Sequence, residues 1–205
     1  MKINNLKISI IGTGNLGQAI AKGLVKSGSY FSENISLTRR TLSELSSFEN
    51  AGFYVTGNNS FAVKDSKLII IAVGPLDAER VLDSFKDDLN PDKHILISTM
   101  TGVSIQKIQS VVGLQLPIVR IMPNTAVAIC ESMTCIAATD EHLDSLAVVQ
   151  KVFDQLGQTL LVKESLIAPA GSPGCISRWY WDRFSCRRSD LAGCPDSQGS
   201  GLFDP

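Results

Sequence analysis

Apolar positions fall into short runs separated by stretches with helical spacing. Ile8-Ser9-Ile10-Ile11 is a β-branched run close to the chain start, and residues 16–27 set Leu16, Ala19, Ile20 and Leu24 on one side of a helix. Residues 35–38 and 53–55 supply a second and third strand. Residues 68–73 read Leu-Ile-Ile-Ile-Ala-Val without interruption, the pattern of a strand buried on both faces. Residues 94–98 and 117–122 supply two more. Residues 140–156 read as a helix, with Asp140 as N-cap and Gly157 as stop, and 158–162 resume as a strand. Strands alternating with helical segments predict an α/β fold, a Rossmann-like, doubly wound, mostly parallel sheet over residues 1–163.

Beyond that point the pattern ends. There is no Lys after Lys163 and no Val after Val162, yet both Trp and three of the five Cys lie past Ile167. Neither helical nor strand periodicity survives over 178–205. Residues 164–205 are therefore expected to form an irregular tail, unlike the remainder in composition.

Composition narrows the function. The 205 residues are 44% hydrophobic and 19% charged, ordinary for a globular chain, with a net charge of −1. That balance leaves no basic footprint for nucleic acid. No apolar run reaches the roughly 18 residues of a membrane span, and residues 1–12 lack the charged and apolar regions of a signal peptide. The expectation is a cytoplasmic protein with neither membrane nor nucleic-acid partner. Five cysteines without a C-x-x-C spacing and two histidines, His94 and His142, give no ligand pairs for a metal. Cys130 and Cys135 read as small core residues.

The strongest local motif is Gly12-Thr13-Gly14-Asn15-Leu16-Gly17, which follows a strand and opens a helix, the context that a dinucleotide fingerprint requires. Gly12 permits the tight turn, Gly14 lets the backbone approach a pyrophosphate, and Gly17 allows close helix–strand packing. Amides at the helix start then face the anion. An NAD-binding chain carries an acid about 20 residues on, for the ribose 2′-hydroxyl. Here the second strand ends in Thr38-Arg39-Arg40-Thr41, with no acid. Two guanidiniums and two hydroxyls suit a 2′-phosphate, so NADP is the expected cofactor, with NAD possible. A solvated basic turn is the plainer reading of the same residues.

Several segments together resemble pyrroline-5-carboxylate reductase. They are residues 10–20 around the glycine turn, Ala72-Val73-Gly74-Pro75 where the family has Ala-Val-Lys-Pro, the turn at 98–103, and Val119-Arg120-Ile121-Met122-Pro123-Asn124-Thr125. The last resembles the family's Arg-Val-Met-Pro-Asn-Thr and is the most specific. The resemblance covers about residues 5–163. It implies reduction of pyrroline-5-carboxylate, an imine, to proline with NAD(P)H, the last step of proline synthesis. By position it implies that Gly12, Thr13, Gly14, Asn15 and Leu16 hold the pyrophosphate and that Thr38, Arg39 and Arg40 hold the 2′-phosphate. Asn59 falls near the adenosine end. Ala72, Val73, Gly74 and Pro75 line the nicotinamide side, with Met122, Pro123 and Asn124 at the cleft beside it. Strand-end packing is the plainer reading of Met122 and Pro123. The hydride comes from the cofactor, so the chain's task is positioning and electrostatics. No catalytic acid or base is assigned from the residues.

The resemblance also implies a helical C-terminal domain that forms a homo-oligomer and contacts the imine. Ala170-Gly171-Ser172-Pro173-Gly174 only faintly echoes that domain's entry loop. Shifting the reading frame by one base over residues 193–201 permits Ala-Ala-Gln-Thr-Val-Lys-Gly-Ala-Ala, close to a later helix of the family. A frameshifted or missing domain is the expectation, with oligomerisation doubtful and turnover reduced. Two other readings stay open: another small Rossmann NADP oxidoreductase, and a nucleotide-binding module without turnover.

Overall fold

The computed structural model describes residues 6–167. Eight strands form one sheet: β1 (Ile8–Ile11), β2 (Ile35–Thr38), β3 (Tyr54–Thr56), β4 (Leu68–Ile71), β5 (Ile95–Ser98), β6 (Ile118–Met122), β7 (Ser132–Ala138) and β8 (Gly157–Leu161). Their order is β3-β2-β1-β4-β5-β6-β7-β8, and every pair is parallel except β6–β7. This is the expected doubly wound, mostly parallel sheet. β4 is central, in register with β1 and β5, and all four of its residues are buried.

The strand period of two sorts side chains onto two faces. Ile8, Ile10, Leu68, Ile70, Ile97 and Val119 pack with Ile20 and Leu24 of α1 (Asn15–Lys26) and Val149, Val152 and Phe153 of α6 (Leu143–Phe153). Ile11, Ile69, Ile71 and Leu96 pack the opposite way. There they meet Ala62 and Val63 of α3 (Asn59–Asp65), Val81 and Leu82 of α4 (Ala78–Asp83), and Ile105 and Ile108 of α5 (Ile105–Val112). The short α2 (Ser46–Asn50) places Phe48 on the first face. Helices therefore cover both sides, which is why β4 is apolar throughout rather than alternating. Among the described residues no helix is long and apolar enough to cross a membrane.

Three local expectations differ from the structure. Residues 68–73 do not all stay in the strand: after Ile71 the Ala72 amide still donates to the Ile11 carbonyl (2.8 Å), and the chain then turns away. The segment 140–156 is not one helix. Short 3₁₀ turns at Asp140–His142 and Asp154–Leu156 bracket α6, and His142 occupies the cap position of α6 without a side-chain cap bond. Finally, the apolar pattern predicts no strand where β7 stands. Its Ser132 and Thr134 are buried and share a hydrogen bond between their hydroxyls (3.1 Å), so polar residues replace the apolar run that would have marked a strand. Cys135 is fully buried in β7, as a small core residue.

Beyond β8 the chain remains attached to the domain. Arg120, on β6 and almost fully buried, donates to the Glu164 carboxylate (3.0 Å), which also accepts from the Ile105 amide at the start of α5 (2.7 Å). Ile167 is buried against Cys135 and Ala137. Glu164 and Ile167, expected in the tail, thus pack on the sheet. The expected tail from 168 onward, its cysteines and tryptophans, and the reread segment 193–201 lie outside the described residues.

Candidate functional site

β1 is flanked by β2 on one side and β4 on the other, so the chain reverses its direction of strand addition there. Crevices at the carboxyl ends of strands at such a point are where α/β sheets take ligands. Here the crevice is a cleft of about 420 Å³ lined by the ends of β1, β2 and β4 and by α4.

The glycine turn forms its floor. Gly12 has φ +83°, and an added Cβ would lie 2.1 Å from Val73 Cγ1, so only glycine fits. The Gly12 and Thr13 amides both donate to the Thr38 carbonyl, at 3.1 and 2.8 Å, fastening the turn to β2. Thr13 is itself buried, its hydroxyl donating to the Ile10 carbonyl (3.2 Å). Gly17 is tight against Gly12 O and Ile10, each 3.2 Å from a built Cβ. Gly14 is the opposite: a built Cβ meets no atom within 4 Å, so its side faces open space. It is also the N-cap of α1, with no side-chain cap bond and no acidic residue in the first turn. A twelve-residue helix thus begins beside the cleft with first-turn amides that no side chain caps, suited to an anion.

Cationic side chains form the walls. Arg39 donates through Nη1 to the Thr13 carbonyl (2.8 Å) and through Nη2 to Glu44, linking the glycine turn to the segment after β2. Arg40 lies beside it, exposed. On the far side, Arg80 of α4 pairs with Asp77. That hydrogen bond holds the Asp77 carboxyl below its usual range, with smaller help from the charges of Arg80 and Arg40. Three guanidiniums and two carboxylates therefore line one cleft. The open Gly14, the uncapped helix start and the surplus cation together fit a phosphorylated dinucleotide.

The structure brings many of the expected residues together. Gly12, Gly14, Thr38, Arg39, Arg40, Asn59, Ala72, Val73 and Gly74 all line the cleft. Asn59 donates through Nδ2 to the Ser84 hydroxyl (2.9 Å), and Gly74 has open space where a side chain would go. Thr13, Asn15, Leu16, Pro75, Met122, Pro123 and Asn124 are not among the lining residues. Met122 packs against Cys135, Ala137 and Ile167, and the Asn124 side-chain oxygen accepts from the Ala126 amide (3.1 Å), capping the turn Thr125–Ile129. Sequence reasoning missed Glu44, Gly57, Asp77, Arg80 and Val81, which also line the cleft. For Arg80, the one available signal was its place on the first turn of the helix after β4.

Comparison with known proteins bears on what the cleft serves. The family model described as "NADP oxidoreductase coenzyme F420-dependent" matches residues 7–102, the part that contributes every cleft residue. Pyrroline-5-carboxylate reductase 1 of Dictyostelium discoideum is 40% identical over 182 residues, covering 83% of this chain and 33% of that protein. Pyrroline-5-carboxylate reductase 2 of the same organism is 38% identical over 207 residues, covering 93% of this chain and 69% of that protein. The chain belongs to the pyrroline-5-carboxylate reductase family. Among solved structures, the pyrroline-5-carboxylate reductase of Coxiella burnetii superposes with a TM-score of 0.77 at 27% identity, covering 88% of this chain and 69% of that one. This member of the pyrroline-5-carboxylate reductase family spans between a third and just over two-thirds of the length of the two relatives named.

Proposed function

We propose that the chain binds NADP(H), with NAD(H) as the weaker alternative, and serves the reduction of 1-pyrroline-5-carboxylate to proline. The observation that carries this reading is the cleft itself. In a chain of this family, a glycine turn open at Gly14 meets arginines on the side where the 2′-phosphate of a bound dinucleotide would lie. No acid stands at the end of β2 to repel that phosphate, since the chain runs Thr38-Arg39-Arg40-Thr41.

Each part of the cleft has a task in this reading. The first-turn amides of α1 hold the pyrophosphate. Arg39 and Arg40 hold the adenosine end, Arg39 also keeping the glycine turn in place through Thr13. Ala72, Val73 and Gly74 leave β4 as a narrow wall, and the open side of Gly74 leaves room for a flat ring. When bound, the reduced nicotinamide supplies a hydride to the imine carbon. The chain's own contribution is to orient and hold. The proposal includes a cytoplasmic location, in keeping with the near-neutral charge and ordinary globular composition.

Turnover tests it. Full-length chain mixed with NADPH and pyrroline-5-carboxylate should oxidise NADPH and form proline in equal amounts. NADPH binding without proline formation would leave the dinucleotide assignment standing and remove the reductase assignment.

A further inference from the structure

We propose that Arg80, together with Arg40, holds the ribose 2′-phosphate from the far side of the cleft, and that Asp77 keeps Arg80 in place until the phosphate takes over. This rests on the dinucleotide reading above. Neither the glycine motif nor the basic turn after β2 points to Arg80.

Arg39 is already engaged within the protein. One of its terminal nitrogens donates to the Thr13 carbonyl and the other to Glu44, so its guanidinium is held in place on the turn and its charge is already shared with a carboxylate. Arg40 has no ion pair among the described residues and is exposed in the cleft. A phosphate held only from β2 would therefore rest mainly on Arg40. Arg80 approaches from α4, across the cleft, and is the third guanidinium in its lining.

Asp77 marks the place of an anion. Its carboxylate accepts from Arg80 and lies in the field of Arg40 as well, so an anion is already stabilised by both guanidiniums. A phosphate monoester offers nearly twice the charge and three acceptor oxygens, against one charge on a carboxylate. The resting pair is also easy to break. Arg80 and Asp77 are 57% and 41% exposed, and exposed pairs three residues apart on a helix contribute little. A dinucleotide without the 2′-phosphate offers no such replacement and leaves Arg80 on Asp77. Arg80 thus distinguishes the two cofactors while adding nothing to the hold on the part they share.

The test uses the full chain and fluorescence titrations with NADPH and NADH. Arg80→Ala should weaken NADPH about tenfold, as removal of one charge-assisted hydrogen bond does, and change NADH less than about twofold. Arg80→Lys, which keeps the charge but not the fork, should recover part of the affinity. The dependence of NADPH affinity on salt should be shallower for Arg80→Ala than for wild type. Asp77→Asn should tighten NADPH by about two- to fivefold, since an exposed competitor is removed. Equal losses for both cofactors in Arg80→Ala, or no loss for either, would overturn the role of Arg80 while leaving the dinucleotide reading intact. A wild-type chain that binds neither cofactor would overturn both.

Discussion

At the ends of β1, β2 and β4, glycine and arginine face a cleft; on the flank built from β6, β7 and β8 the same two residue types face protein. Gly14 has nothing within 4 Å of a built Cβ, whereas at Gly157, with φ +140°, a Cβ would sit 2.0 Å from the Ser132 carbonyl oxygen. Arg40 and Arg80 are exposed, whereas Arg120 is buried and donates to Glu164 (3.0 Å) and the Met100 carbonyl (3.4 Å). The difference separates two uses of one residue. Where surroundings complete the residue's bonds and fill its space, it holds the fold together. Where they leave bonds and space open, the residue is available to a ligand.

Substituting the two glycines sets the uses apart most sharply. Gly157→Ala should cost about 3–5 kcal/mol of stability in urea unfolding, from left-handed strain plus collision with the β7 backbone. Gly14→Ala should cost no more than about 1 kcal/mol, the N-cap preference for glycine over alanine, yet weaken NADPH binding, because the methyl enters the space assigned to the pyrophosphate. Similar stability losses at both would erase the distinction. Next in size is Arg120→Ala, expected to cost about 3 kcal/mol, because Glu164 then loses its cation while still turned toward α5. Its NADPH affinity, measured at a temperature where it remains folded, should equal that of wild type.

These contrasts also explain what could be read along the chain and what could not. Leu68–Ile71 was legible because burial on two faces removes every polar position, and Gly12 because its turn falls directly between a strand and a helix. β7 was not, because Ser132 and Thr134 satisfy each other inside the core and interrupt the apolar signal. Arg80 and Asp77 were not, because beside a six-residue helix they look like any solvated ion pair until the fold brings α4 over the glycine turn. Met122, which the family resemblance puts beside the cleft, ends β6 partly buried and packs against Cys135 and Ile167. Glu164 lies past the last periodic segment, so nothing in the pattern ties it to Arg120.

The smallest effect expected concerns pH. His94 is buried, its Nδ1 accepts from the Asn90 amide (3.0 Å), and burial lowers its pKa below the usual 6.5, with a smaller contribution from the Lys93 charge. A lowered histidine pKa means that the unfolded chain takes up the proton first as pH falls. Its contribution is thus complete above pH 6.5 and is lost as pH drops from there through the folded value. His94→Asn, whose Oδ1 can accept the same amide bond, should flatten the stability profile over that interval. An unchanged profile would show that His94 does not set it. NADPH binding, on the other side of the molecule's division of labour, should be indifferent to the change.

The central claim is that the arginines at the ends of the strands are there for a 2′-phosphate. Its most direct measurement is a paired titration of wild type and the Arg40→Ala variant with NADPH and NADH. Wild type should bind NADPH more tightly than NADH. The substitution should weaken NADPH by about 1–3 kcal/mol for each charge-assisted hydrogen bond it removes and affect NADH far less. Equal affinity of wild type for the two cofactors, or equal loss of both in the variant, would contradict the account.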